Sequence, residues 1–247
     1  MDAVLVTGCA AGGLAAGAVL DSLTGRIVRA PEPVAVLEPA YAGAPAPEQA
    51  PLPPAPVRVA GAGEIALSAL LTGGFFALLA FRLGPTHDLV AYCALAAGLV
   101  ALSVVDARAG IVPRSILYPT LAATAVGFVA ASALDHHWRP LLQAAVGGSA
   151  CFAVFFALWW FFPRGLGFGD VRLAGVIGAA LGWIGYGELY VGFLVAFLVG
   201  ALSGVVVMAV RGTGRRTKFA FGPALSVGTA FGILWGPWAV HLWLHHG

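Results

Sequence analysis

The sequence predicts an all-α fold, a polytopic membrane helix bundle of about eight transmembrane helices, on three observations. Of 247 residues, 60% are hydrophobic and only 10% charged, whereas a soluble domain has about a quarter of its residues charged. Mean hydropathy is +0.92. Charge-free apolar runs recur along the chain, each close to the ~20 residues that cross a hydrocarbon core. Lipid offers no hydrogen bonds, so such runs form helices that satisfy their own backbone.

The first run covers 3–23. A signal peptide needs a positive n-region, but here only Asp2 follows Met1, and the first basic residues, Arg26 and Arg29, come after the run. That order predicts a retained helix with its N-terminus outside. Residues 31–60 follow as a Pro-rich cytoplasmic loop. Nine of the 16 prolines fall within 31–56, among Ala and Glu with little to form a core, which predicts an extended, disordered segment. The chain therefore divides into 1–30, the first helix and its exit; 31–60, the loop; and 61–247, a seven-helix core. Core spans are expected near 64–83, 88–107, 114–134, 139–162, 171–187, 188–210 and 219–243, with the sixth the shortest.

This arrangement puts Arg82 and Arg139 outside and the other 11 of the 13 basic residues in cytoplasmic connections. The bias follows the positive-inside rule and predicts a multi-pass protein of the inner (cytoplasmic) membrane. Glycines are abundant, 34 in all, and Gly8–Gly12 and Gly13–Gly17 have the spacing that lets helix backbones approach closely. A net charge of +2 without a basic, aromatic-interleaved stripe excludes nucleic acid as an expected partner. Cys9, Cys93 and Cys151 lie far apart in apolar stretches and form no CxxC pair. They read as packing residues, and no metal site is expected. No GxSxG elbow or HExxH is present.

The chain has 11 acids. Asp2 is near the end of the chain, Asp21 lies in the stretch closing the first span, Glu32, Glu38 and Glu48 decorate the loop, Glu64 opens the second span, and Asp88, Asp135 and Glu188 belong to outer connections. Asp106 and Asp170 stand apart, because the topology puts both at the cytoplasmic ends of apolar helices. Two carboxyls brought together do not both ionise easily and share one proton. An aspartic peptidase works in that state: one carboxylate activates water and its protonated partner polarises the scissile carbonyl. Plainer readings are a salt bridge to Arg108 or Arg172, or, for Asp170, a helix N-terminal cap. Gly167 and Gly169 flank Phe168 directly before Asp170, and their missing side chains leave room for a substrate chain to approach.

The combination of motifs resembles the type IV prepilin peptidase family. Asp106 is followed seven residues later by Pro113, and Gly167-Phe168-Gly169-Asp170-Val171-Arg172-Leu173 resembles the family's GxGDxKL. The stretch from Gly17 to Arg26 is similar to the run closing the family's first helix, and Phe221-Gly222-Pro223 to the Phe-Gly-Pro stretch opening the last. The resemblance implies a membrane aspartic endopeptidase with Asp106 and Asp170 as the catalytic pair and Gly167, Gly169, Pro113 and Arg172 as motif residues. It implies a prepilin or pseudopilin precursor as substrate, cut at the cytoplasmic face of the membrane, with the lipid bilayer as a further partner and pilus or secretion assembly machinery downstream. The peptidase needs no cofactor. The family's N-methylation of the product would require S-adenosylmethionine, but the two CxxC pairs of the larger members are replaced here by the Pro-rich loop. The rivals are a small proton- or ion-coupled transporter using Asp106 and Asp170, and an assembly scaffold without catalysis.

Overall fold

The computed structural model describes residues 3–27, 62–109, 112–161, 166–211 and 221–246. The expected Pro-rich loop, 31–60, lies outside the described residues. The described chain forms eight helices: α1 (Ala3–Ile27), α2 (Ala62–Leu83), α3 (Leu89–Ala109), α4 (Arg114–Asp135), α5 (Arg139–Phe161), α6 (Phe168–Ile184), α7 (Tyr186–Arg211) and α8 (Gly222–His246). The protein is a multi-pass membrane helix bundle.

By length and composition, α1 to α5 and α7 are able to cross a membrane. The other two depart from the eight expected spans for physical reasons. With 17 residues, α6 is about 26 Å long. It starts at Phe168, ahead of the expected 171, and ten of its residues are buried among α4, α5, α7 and α8. An interior helix of this kind is walled by protein instead of lipid. In α8, Pro237 lies inside the helix and Pro223 in its first turn. Glu188, expected in a connection, lies in the first turn of α7.

Consecutive helices pack as hairpins, α1 on α2, α5 on α6 and α7 on α8, and glycine sets how closely they approach. A Cβ on Gly13 would stand 2.8 Å from Gly73 Cα, and one on Gly17 would stand 2.7 Å from Ala69 Cα. At the α5–α6 contact, a Cβ on Gly147 would stand 2.7 Å from the Gly178 carbonyl oxygen. Of the two glycine pairs singled out in α1, only Gly13–Gly17 builds an interface, because Gly8 and Gly12 face open space.

Helix α3 lies at the centre, touching α1, α2, α4 and α8, with Tyr92, Leu95, Leu99 and Leu102 fully enclosed. The Tyr92 hydroxyl donates to the Ala180 carbonyl at 2.9 Å, tying α3 to α6. At this end of the bundle Phe128 stacks on Trp183 (4.4 Å between centroids) and meets Tyr92 edge-on (5.3 Å). Trp183 Nε1 donates to Asp88 Oδ2 at 3.2 Å, and His87 pairs with Asp135 at 2.7 Å. The sequence marks these acids only as connection residues, yet each fastens neighbouring elements. Leu67, Leu70, Phe81, Val154, Trp160, Leu198 and Leu202 are exposed, as hydrocarbon surroundings require.

Gly13→Leu or Gly17→Leu should force α1 off α2 and cost about 1–3 kcal/mol, seen as a lower unfolding midpoint in detergent. Gly8→Leu and Gly12→Leu should leave the midpoint where it is.

Candidate active site

The apolar α3 carries Asp106 to its C-terminal end, where the carboxyl is only 4% exposed. There Asp106 Oδ2 accepts the Gly222 N–H at 2.8 Å. Gly222 is the first residue of α8, and the first amides of a helix have no partner inside it. The residue before it is Phe221, which has no side-chain acceptor, so α3 supplies the cap from across the bundle. One turn earlier on α3, the Ser103 hydroxyl meets that of Ser226 on α8 at 2.7 Å. Phe221 packs its ring near Phe155 and Phe197, which fixes the start of α8 from the α5 and α7 side.

Asp170 is the third residue of α6 and is 7% exposed. The N-cap is Gly167, in extended backbone (φ −76°, ψ 144°) and without a side chain to cap anything. The Asp170 carboxyl turns back and accepts the Gly167 N–H through Oδ2 at 3.3 Å, while its own amide donates to the Gly167 carbonyl at 3.0 Å. The capping reading of Asp170 is therefore correct, although the contact is long and uses one oxygen. Gly169 explains why α6 starts here: a Cβ on it would stand 2.7 Å from Val112 Cβ. The missing side chain seats α6 against Val112, just ahead of α4, and so sets Asp170 at the end of the bundle where α3 ends.

Pro113 is the N-cap of α4 (φ −70°, ψ 134°), and its carbonyl accepts the Ile116 and Leu117 amides. Lacking an N–H and fixed in φ, proline marks where the chain leaves the turn and helix begins. Arg172 places its guanidinium over the rings of Phe168 (4.5 Å) and Tyr118 (5.7 Å), a cation–π arrangement. Among the described residues the only ion pair is His87–Asp135, so an Asp170–Arg172 salt bridge is not formed. The side chain of Arg108 lies outside the described residues. Phe168 also packs on Trp159 at 5.1 Å, adding an aromatic wall from α5.

The structure thus brings Asp106, Asp170, Gly167, Gly169, Pro113 and Arg172 to one end of the bundle. Two buried carboxyls at the same end of a bundle carry one negative charge more cheaply than two. Among the described residues, the sealed and unpartnered side-chain oxygens are those of Thr124 and Ser132. Sequence reasoning noted the Phe-Gly-Pro stretch but missed Gly222, Ser103 and Ser226 as neighbours of Asp106. No local pattern announces a hydrogen bond across 116 residues.

Residues 93–208 match the model of the type IV leader peptidase family. Similar proteins include a prepilin leader peptidase/N-methyltransferase of Pseudomonas putida, 28% identical over 165 residues, 64% of this chain and 54% of that protein. The namesake in Neisseria gonorrhoeae is 31% identical over 187 residues, 72% and 60% of the two chains. That in Burkholderia pseudomallei strain 1026b is 32% identical over 180 residues, 70% and 53%. The chain spans about half the length of the curated relatives it matches. No solved structure matches it.

Gly169→Ala is expected to push α6 off Val112 and cost about 1–3 kcal/mol. Gly167→Ala should cost less, because the nearest atom to its methyl is a side-chain carboxyl oxygen at 3.3 Å and not a branched carbon at 2.7 Å. Thermal unfolding in detergent, followed by tryptophan fluorescence, separates the two.

Proposed function

The chain belongs to the type IV leader peptidase family, and on that premise we propose that it is an aspartic endopeptidase that removes the leader from prepilin-like precursors. The observation that carries the reading is the placing of Asp106 and Asp170 at one end of the bundle, both within the residues that match the family. In the reaction, the ionised carboxyl takes a proton from water as its oxygen bonds to the scissile carbonyl carbon. The protonated carboxyl gives its proton to the carbonyl oxygen. On collapse the first carboxyl protonates the leaving nitrogen, the C–N bond breaks, and a hydroxyl proton of the intermediate returns to the second. Water is consumed and both aspartates are restored.

The substrate is a prepilin or pseudopilin precursor with a short basic leader followed by an apolar helix lying in the bilayer. Cleavage frees that helix for pilus or secretion assembly machinery. The protein sits in the inner membrane with its N-terminus outside and its active site at the cytoplasmic face. Charge distribution supports this orientation. Arg114, Arg172 and Arg211 stand at helix ends on the side of the aspartates, while Arg82 and Arg139 stand at the opposite end. Gly167 leaves the space before Asp170 free of a side chain, Gly169 seats α6 against Val112, Pro113 opens α4 beside it, and Arg172 braces the aromatic wall. The relatives' names join an N-methyltransferase to the peptidase. The function proposed for this chain is confined to the peptidase, whose acids it carries, and no step runs through S-adenosylmethionine or a metal.

The transporter reading is not favoured. It needs aspartates along a path through the bundle, and both lie at one end. The cleft between α1, α2 and α3 is lined by Gly17, Ser68, Thr72 and Ala101 among others, and by neither aspartate.

In membranes supplied with a prepilin-like substrate, Asp106→Ala, Asp170→Ala and the two Asn variants should each lower leader removal by at least about 100-fold without loss of the inserted protein. Cleavage at the wild-type rate by any of the four contradicts the assignment.

A further inference from the structure

The two acids are held differently, and this inference rests on the peptidase reading above. Asp106 accepts the first amide of α8 at 2.8 Å, a short contact that stabilises a charged acceptor. That amide belongs to the start of a 25-residue helix, whose partial positive charge favours an anion there. Among the described residues, Asp170 has the 3.3 Å contact to the Gly167 amide. Gly222 contributes by its shape as well as its N–H. A Cβ on it would stand 2.7 Å from Asp106 Oδ2, 3.2 Å from Cγ and 3.3 Å from Cβ. Any other residue here sets a methyl or methylene where the carboxylate now lies. The helix would tolerate alanine at its first turn, so the requirement for glycine comes from Asp106 and not from α8. Gly222 also lies beyond the 93–208 region that matches the family.

The geometry points to Gly222 as a positioning residue that keeps Asp106 as the ionised member of the pair. Asp106 is then the base toward water, and Asp170 is the proton donor to the scissile carbonyl. The proton movements are those given above, with each role now assigned to a residue. α8 thereby becomes part of the catalytic apparatus without contributing a reactive side chain. Ser103 and Ser226 form the adjoining clamp between α3 and α8 and hold no carboxyl.

The test compares Gly222→Ala with Ser226→Ala in cleavage kinetics and in infrared difference spectra of the aspartate carboxyls. Gly222→Ala should lower kcat by at least about ten-fold with KM within about two-fold, and should shift the carboxylate band lost in Asp106→Asn. Ser226→Ala should leave that band in place. A second measurement does not depend on Gly222→Ala folding: at the pH of the cleavage assay, Asp170→Asn should lose a protonated-carboxyl band and Asp106→Asn a carboxylate band. If the two bands are lost the other way round, or if Gly222→Ala keeps the wild-type kcat and spectrum, the role assignment is overturned. Wild-type protein that leaves a prepilin-like substrate uncut, or an Asp106→Ala variant that cuts it, overturns the peptidase reading instead.

Discussion

The hydrogen bond from the Gly222 amide to the Asp106 carboxyl joins the two parts of the chain that make the site. It meets two needs at once. An amide at the start of a helix inside an apolar bundle is costly if left without a partner. A carboxyl that is 4% exposed is costly for the same reason. Each group relieves the other, so the end of α3 and the start of α8 stay together with the Ser103–Ser226 contact beside them.

Asp170 follows the same logic within one segment. A glycine N-cap leaves the first turn of α6 uncapped, and the acid three residues on turns back to the vacant amide. Glycine is needed there for packing too, since the start of α6 lies against Val112. The free ends of α6 and α8 thus each hold one of the two acids at the same end of the bundle. Backbone groups hold them, and the cations stay elsewhere: Arg172 rests on Phe168 and Tyr118. A pair neutralised by arginine would lose the single shared charge that peptide hydrolysis requires.

At the opposite end the bundle is closed by different chemistry. Tyr92, Phe128 and Trp183 pack ring against ring, and Asp88 and Asp135 hold Trp183 and His87. These contacts tie α3, α4 and α6 together at the end away from the aspartates. The glycine seams of the hairpins do the rest by letting backbones approach without intervening side chains.

Much was legible in the sequence because membrane burial writes itself into composition. The eight helices, their order and the placing of Asp106 and Asp170 at like ends follow from apolar runs and charge spacing alone. The Asp106-to-Pro113 interval and the Gly-Phe-Gly-Asp run are local patterns, set by where a turn ends and where a helix begins, so they too can be read from sequence. Other features depend on which faces of distant helices meet. Sequence spacing cannot distinguish Gly13–Gly17, which touches α2, from Gly8–Gly12, which faces outward, because both have the same period. Nor can it show that α6 is an interior helix, that Arg172 stacks on rings instead of pairing with an acid, or that Gly222 reaches Asp106. The tertiary structure decided these, because each depends on the rotation and depth of one helix against another.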